Sequence, residues 1–247
     1  SVDDFDVVSD YQAIRKRVGY MPGRFSLYPD LSVEENLSFF ATLFNTSIEE
    51  NYDLVKDIYV QIEKFKTRKA GALSGGMKQK LALCCALIHK PVVLILDEPT
   101  TGVDAVSRKE FWEMLQNLKK KGITILVSTP YMDEAERCHQ VGILYNGKLL
   151  TTGSPNDLQN DLPFEIVEVK AKPRKVMRQV VGDAPYVMQW RTIGDRLRLT
   201  VKDPFTATTI LENTLTSESA EIKVLRHSKR SMEDVFIHLV EERRINN

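Results

Sequence analysis

Stretches with apolar residues three and four apart alternate along this chain with short runs in which apolar residues are continuous, and glycine or proline marks the changes. Helical spacing predicts a short helix over 11–17 and an amphipathic helix over about 49–65. Ser32 with Glu35 three residues on is a capping box, and it opens a helix that continues through Phe39, Phe40 and Leu43. A helix over 75–89 presents Leu81, Leu83, Ala86, Leu87 and Ile88, with His89 near its end as a dipole-complementing residue. Another runs from 106 to about 120, where Lys119-Lys120-Lys121-Gly122 is a stop signal. The runs 92–97 and 123–128 read as parallel strands buried on both faces. Residues 1–9 suit a strand–turn region, and 18–21 a brief strand broken by Pro22-Gly23. A helix begins at Pro130, and a hairpin over 141–145 and 148–152 turns at Asn146-Gly147.

The pattern shifts after Gly153-Ser154-Pro155. Strands are predicted over 164–171, 186–190, 196–202 and 221–225, and helices over 173–181, 205–215 and 232–243. The order β-α-β-β-α-β-α is that of a ferredoxin-like α+β unit with a helical extension. This reading divides the chain into 1–155, with a helical part at about 31–89, and 162–247.

Charge and cysteine content narrow the classes. Lys+Arg and Asp+Glu both number 34, so no overall field draws the chain to nucleic acid or anionic lipid. The basic stretch Arg226-His227-Ser228-Lys229-Arg230 reads as a solvated loop. No apolar run approaches the roughly 20 residues that span a bilayer, so membrane contact would come through a partner protein. No signal peptide is visible at the start. Three cysteines make no disulfide framework, Cys84 and Cys85 suit a core, and a reducing, cytosolic setting fits.

Candidate chemistry concentrates between Leu73 and Asp104. Ser74, Gly75 and Gly76 open the helix that continues through Met77 and Gln79. First-turn N–H groups lack intrahelical partners, and the helix dipole adds positive charge, so such a turn can hold an anion. The apolar strand over 92–96 then delivers two adjacent carboxylates, Asp97 and Glu98, to its carboxyl end, where open α/β sheets place their ligands. A carboxylate there can hold Mg²⁺ and a second can polarise a water. Either half alone also fits an ordinary helix cap or an ordinary strand end.

Both halves joined by one helix, and followed by Gly102-Val103-Asp104, resemble the nucleotide-binding domain of ATP-binding cassette (ABC) transporters. Leu73, Ser74, Gly75, Gly76, Met77 and Gln79 stand in the signature motif, residues 92–98 in the Walker B strand, and Asp104 in the D-loop. The resemblance implies an α/β, P-loop NTPase-like sheet with a helical subdomain, and ATP and Mg²⁺ as cofactors. It implies Asp97 on the metal and Glu98 as the catalytic carboxylate. The signature would act in trans on ATP held by a second ABC ATPase domain, a copy or a paralogue. A membrane permease would place the chain on the cytoplasmic face of the cell membrane. The tail resembles the regulatory or dimerising extension of some export-type members.

Two positions depart from the family pattern. Gly23 stands where a glutamine normally senses the metal and the water, and Pro130 where a histidine normally contacts the γ-phosphate. Proline offers no donor at all. The phosphate-cradling G-x-x-x-x-G-K-[ST] loop is not found in these residues, so the expectation is a domain truncated at its N-terminus, weak or inactive by itself. The alternatives are a soluble ABC ATPase acting on translation or DNA, and a non-catalytic regulatory fragment. The balanced charge and the lack of a coiled-coil insertion weigh against the former.

Overall fold

The computed structural model describes residues 1–245, and the chain divides into two compact units, Ser1–Pro130 and Tyr131–Asn247.

In the first unit α1 (Tyr11–Arg17) leads into β1 (Val18–Met21). There follow α2 (Val33–Leu43), α3 (Ile48–Glu63), a 3₁₀ turn, α4 (Gly75–Leu87), β2 (Val93–Asp97), α5 (Ala105–Lys120) and β3 (Thr124–Ser128). The strands form a parallel sheet in the order β1-β2-β3, with Met21 opposite Leu96 and Asp97 opposite Ser128. Gly19 lets α4 approach the sheet, because a Cβ there would lie 2.3 Å from the Ala86 carbonyl oxygen. The face that Gly19 shares with Leu94, Met21 and Leu96 is accordingly buried.

The other face differs from the expectation of strands buried on both sides. Tyr20 and Leu126, which flank Ile95 in register, are 57% and 62% exposed. α4 covers the Gly19 face and leaves this row open.

Capping chemistry sets the helices of this unit. Ser32 and Glu35 form the predicted box, and Ser47 with Glu50 forms a second at the start of α3. Asn36 is fully buried, and its amide donates to the carbonyls of Tyr28, Leu31 and Ser32, which fixes the turn before α2. Asn51 ties α3 to the end of α4 by donating to the Ile88 carbonyl at 2.5 Å. His89 does not serve as a cation at a helix end. Its ring stacks on Phe44 at 3.8 Å, Nε2 lies 3.1 Å from the Val18 carbonyl oxygen, and burial pushes its pKa down.

The second unit begins with α6 (Met132–Ala135), the hairpin β4 (Val141–Tyr145) and β5 (Lys148–Gly153), and α7 (Pro155–Asn160). Then come β6 (Glu165–Lys172), α8 (Arg174–Gly182), β7 (Val187–Ile193), β8 (Arg196–Val201), α9 (Pro204–Ser217), β9 (Glu221–Ser228) and α10 (Met232–Ile245). The four-stranded antiparallel sheet has the order β7-β8-β6-β9, which is the ferredoxin-like order. Val167, Val169, Leu197, Leu199 and Val201 pack with Met177 and Val181 of α8 and with Leu211 and Leu215 of α9.

Three local readings change. The units part at Pro130 rather than near residue 155, because Ile143 of the hairpin shares a core with Leu162 and with Met232 and Val235 of α10. Pro130 lies outside α6, whose N-cap is Tyr131. Ser154-Pro155, read as the point after which the pattern shifts, opens α7, with Ser154 capping at Asp157 and Pro155 in the first turn.

The stretch 226–230 is also more than a solvated loop. Arg226 to Ser228 belong to β9, and Arg226 pairs with Glu168 at 2.8 Å. Glu168 and Asp234 share Arg198, a residue only 8% exposed. Arg198 donates to both Asp234 oxygens, to Glu168, to Ser228 and to the Lys229 carbonyl, so its buried charge is fully paired. Burial alone would raise the Asp234 pKa, but the Arg198 guanidinium and the Ser231 amide hold it low.

Replacing Arg198 by alanine leaves two carboxylates without their shared cation, and the expected loss is about 3 kcal/mol of second-unit stability in urea titrations. For His89, the folded-state pKa lies below the unfolded value near 6.5, so the unfolded chain binds the proton more readily. First-unit stability is therefore full above pH ~6.5 and falls as the pH drops below it. Urea midpoints at pH 7 and pH 5 should show this decline, and His89→Phe should flatten it.

Candidate functional site

The carboxyl edge of the β1-β2-β3 sheet gathers the acidic pair. Asp97 ends β2 beside Ser128, which ends β3, and the Ser128 hydroxyl donates to Asp97 Oδ1 at 2.5 Å. The Glu98 amide donates to the Ser128 carbonyl at 3.0 Å and to its Oγ at 3.1 Å. Glu98 has φ +44°, in the left-handed region that bulky residues avoid. Its carboxylate accepts from the Thr101 hydroxyl at 3.1 Å, and its carbonyl accepts from the Thr101 amide at 3.1 Å.

Gly23 closes on this edge from the loop after β1. A Cβ at Gly23 would lie 3.1 Å from the Asp97 carbonyl oxygen and 3.6 Å from Oδ2. The position expected to carry a sensing side chain therefore does adjoin the metal-candidate carboxylate, but it contributes only backbone. Pro130 stands two residues beyond Ser128, exposed in a bend after β3. It brings no hydrogen-bonding side chain to this edge.

The residues expected to form the signature lie at the start of α4. Leu73 is buried and anchors the turn. Ser74 is the N-cap and accepts from the Met77 amide at 3.4 Å, so the first-turn amides of Gly75 and Gly76 are left for another partner. Ser74 and Gly75 are exposed, and Gly76, Met77 and Gln79 are half-buried. Gly76 is required by packing, because a Cβ there would meet Ser107 Oγ at 2.6 Å. A Cβ at Gly75 would lie 3.6 Å from the Gly102 carbonyl oxygen. The anion-competent turn thus rests on the loop that follows Glu98 and on the first turn of α5. Lys80 bridges α4 to Glu110 of α5 at 2.8 Å.

Asp104 caps α5, accepting from the amides of Ser107 at 3.0 Å and Val106 at 3.1 Å. The Ser107 amide and hydroxyl hold its carboxyl below the usual range. Lys78 lies over the Phe25 ring at 5.2 Å and so links the signature helix to the Gly23 loop. Sequence reading missed Ser128, Thr101 and Ser107. Thr101 and Ser107 lie beside named motifs, but Ser128 ends a different strand, and only the pairing of β2 with β3 reveals it.

The donor set suits a hard cation shared with a ligand. Among the described residues no group of three or more His, Cys, Asp or Glu could enclose a metal ion. Mg²⁺ is commonly held by one or two carboxylates together with phosphate oxygens, and Asp97 offers an exposed carboxylate at the end of β2.

Among the described residues no helix is long and apolar enough to cross a membrane. The ABC transporter family model matches residues 2–101. The "Probable multidrug ABC transporter ATP-binding protein YbhF" of Escherichia coli is 36% identical over 245 residues, 97% of this chain and 42% of that protein. The chain thus spans less than half the length of YbhF. The "Nod factor export ATP-binding protein I" of Burkholderia thailandensis is 35% identical over 229 residues, 91% of this chain and 73% of that protein. A solved ATP-binding subunit of an ABC transporter is 29% identical with a TM-score of 0.58, over 65% of this chain and 68% of that one. The protein cbiO1 from Clostridium perfringens, described as part of the transporter complex cbiONQ, is 27% identical with a TM-score of 0.54, over 70% of this chain and 66% of that one. With an α/β fold of this kind, and with a relative 35% identical of which it covers 73%, the chain belongs to the ATP-binding proteins of ABC transporters.

Proposed function

We propose that this chain is an ATP-binding part of an exporter-type ABC transporter. In this reading it completes a nucleotide site on a partner domain while its own site is altered. The observation that carries it is the contrast between two edges. The turn at Ser74, Gly75 and Gly76 keeps the capped, tightly packed form that can donate amides to a phosphate. The edge at Asp97 and Glu98 keeps both carboxylates, yet Gly23 and Pro130 bring no side-chain donor or acceptor to it.

In this reading Asp97 holds Mg²⁺ and Glu98 orients and polarises the attacking water. Bound Mg²⁺ supplies charge neutralisation at the phosphates. Ser74, Gly75, Gly76 and Gln79 face ATP held by a second ABC ATPase domain, a copy or a paralogue, and Asp104 shapes the loop between the two edges. The first unit, Ser1–Pro130, carries the ATPase machinery, and the second, from Tyr131 on, has an accessory, regulatory or dimerising role. Export is supported by the relatives, which are described as multidrug and Nod factor export proteins.

A permease partner is supported by an exposed aromatic patch beside the Gly23 loop, where Phe25, Tyr28 and Phe39 are exposed and the last two rings meet edge-on at 4.8 Å. Such a partner would hold the chain at the cytoplasmic face of the membrane. Nucleic acid is not part of this reading, since the formal net charge is zero.

In the assembled transporter Ser74→Arg should abolish most ATPase activity, whereas Glu98→Gln should reduce it much less. Equal losses would refute the asymmetry. These 247 residues hold no G-x-x-x-x-G-K-[ST] loop. Three charge-assisted hydrogen bonds at about 1.5 kcal/mol each amount to roughly a thousandfold in affinity. Calorimetry on this chain alone should therefore detect Mg-ATP binding far weaker than micromolar, and a micromolar dissociation constant would contradict the reading.

A further inference from the structure

We propose that Ser128 is a positioning residue for the two carboxylates, acting through the hydroxyl that ties the end of β3 to Asp97. The inference rests on the reading that Asp97 takes Mg²⁺ and extends it to a residue outside the recognised motifs.

Ser128 and Asp97 are partners in the parallel register, so their side chains leave the sheet on the same face. At 2.5 Å the contact from Ser128 Oγ to Asp97 Oδ1 falls in the range of an O–H···O⁻ bond to an ionised acceptor. A serine hydroxyl has one proton to give, and here it goes to Oδ1. That fixes the rotation of the carboxylate about its terminal torsion, which is otherwise broad. The second oxygen, Oδ2, is thereby turned toward Gly23, 3.6 Å from where a Cβ would stand.

The same oxygen works on Glu98. Ser128 Oγ accepts from the Glu98 amide at 3.1 Å, and the Ser128 carbonyl accepts from that amide at 3.0 Å. A glutamate at φ +44° is held in a conformation that costs energy and persists only where its surroundings over-determine it. Two acceptors on one residue, with Thr101 bonded to the Glu98 carbonyl and carboxylate, supply that constraint. One serine therefore sets both the aim of Asp97 and the backbone from which Glu98 projects.

The test uses the assembled transporter and reads the Mg²⁺ concentration that half-saturates binding of a fluorescent ATP analogue, alongside binding of the same analogue in EDTA. Loss of a group that orients a metal ligand costs about 10- to 100-fold in metal affinity. Ser128→Ala should raise the half-saturating Mg²⁺ about tenfold and leave binding in EDTA unchanged. Ser128→Thr, which keeps the hydroxyl, should restore the wild-type value. A Ser128→Ala protein that titrates like wild type overturns the proposal. So does a threonine variant as impaired as the alanine one, or an equal fall in EDTA, which marks a general packing defect. Asp97→Asn separates the two levels. If it leaves the Mg²⁺ dependence unchanged, the metal role of Asp97 fails and this inference with it. If it shifts the dependence and Ser128→Ala does not, only the inference about Ser128 falls.

Discussion

The parallel register of β1, β2 and β3 is the constraint on which the first unit depends. It aligns Met21 with Leu96 and Asp97 with Ser128, so three chain segments far apart in sequence end at one edge. Gly19 makes the arrangement possible, because any side chain there would collide with the backbone of α4. Once α4 is seated on β1, its N-terminal turn comes to rest against Gly102 and Ser107, which belong to the segment leaving the same edge. The anion-competent turn and the acidic pair are thus two outputs of one packing solution, and an error in either contact would move both.

Glycine is demanded to different degrees at three places in this unit. At Gly19 and Gly76 it is demanded by close approach, and a methyl group would have to displace backbone in the first case and the Ser107 side chain in the second. At Gly23 the approach is less severe but still tight, with a Cβ 3.1 Å from the Asp97 carbonyl oxygen and 3.6 Å from Oδ2.

The second unit is held in a different way. Its sheet buries an apolar face against α8 and α9 and joins α10 to the opposite side through Arg198, Glu168, Arg191 and Asp234. Apolar residues of α10 meanwhile pack with the hairpin and with Phe164. The last helix therefore draws the hairpin and the ferredoxin-like sheet into one body, which is why the compact unit starts as early as Tyr131.

Most of the local structure was legible in the sequence, since caps, turn dipeptides and apolar spacing act within a few residues. Ser32 with Glu35, Asn146-Gly147, and the order of strands and helices in the tail needed nothing from afar. The candidate site residues over 73–79 and 92–98 could be picked out for the same reason, being contiguous runs. What tertiary structure alone decided depends on pairing between distant segments. The open row of Tyr20, Ile95 and Leu126 reflects which face α4 covers, and His89 became a neutral, stacked ring because Phe44 and β1 enclose it. Ser128 gained its place beside Asp97 only through a β2–β3 register that no local signal encodes.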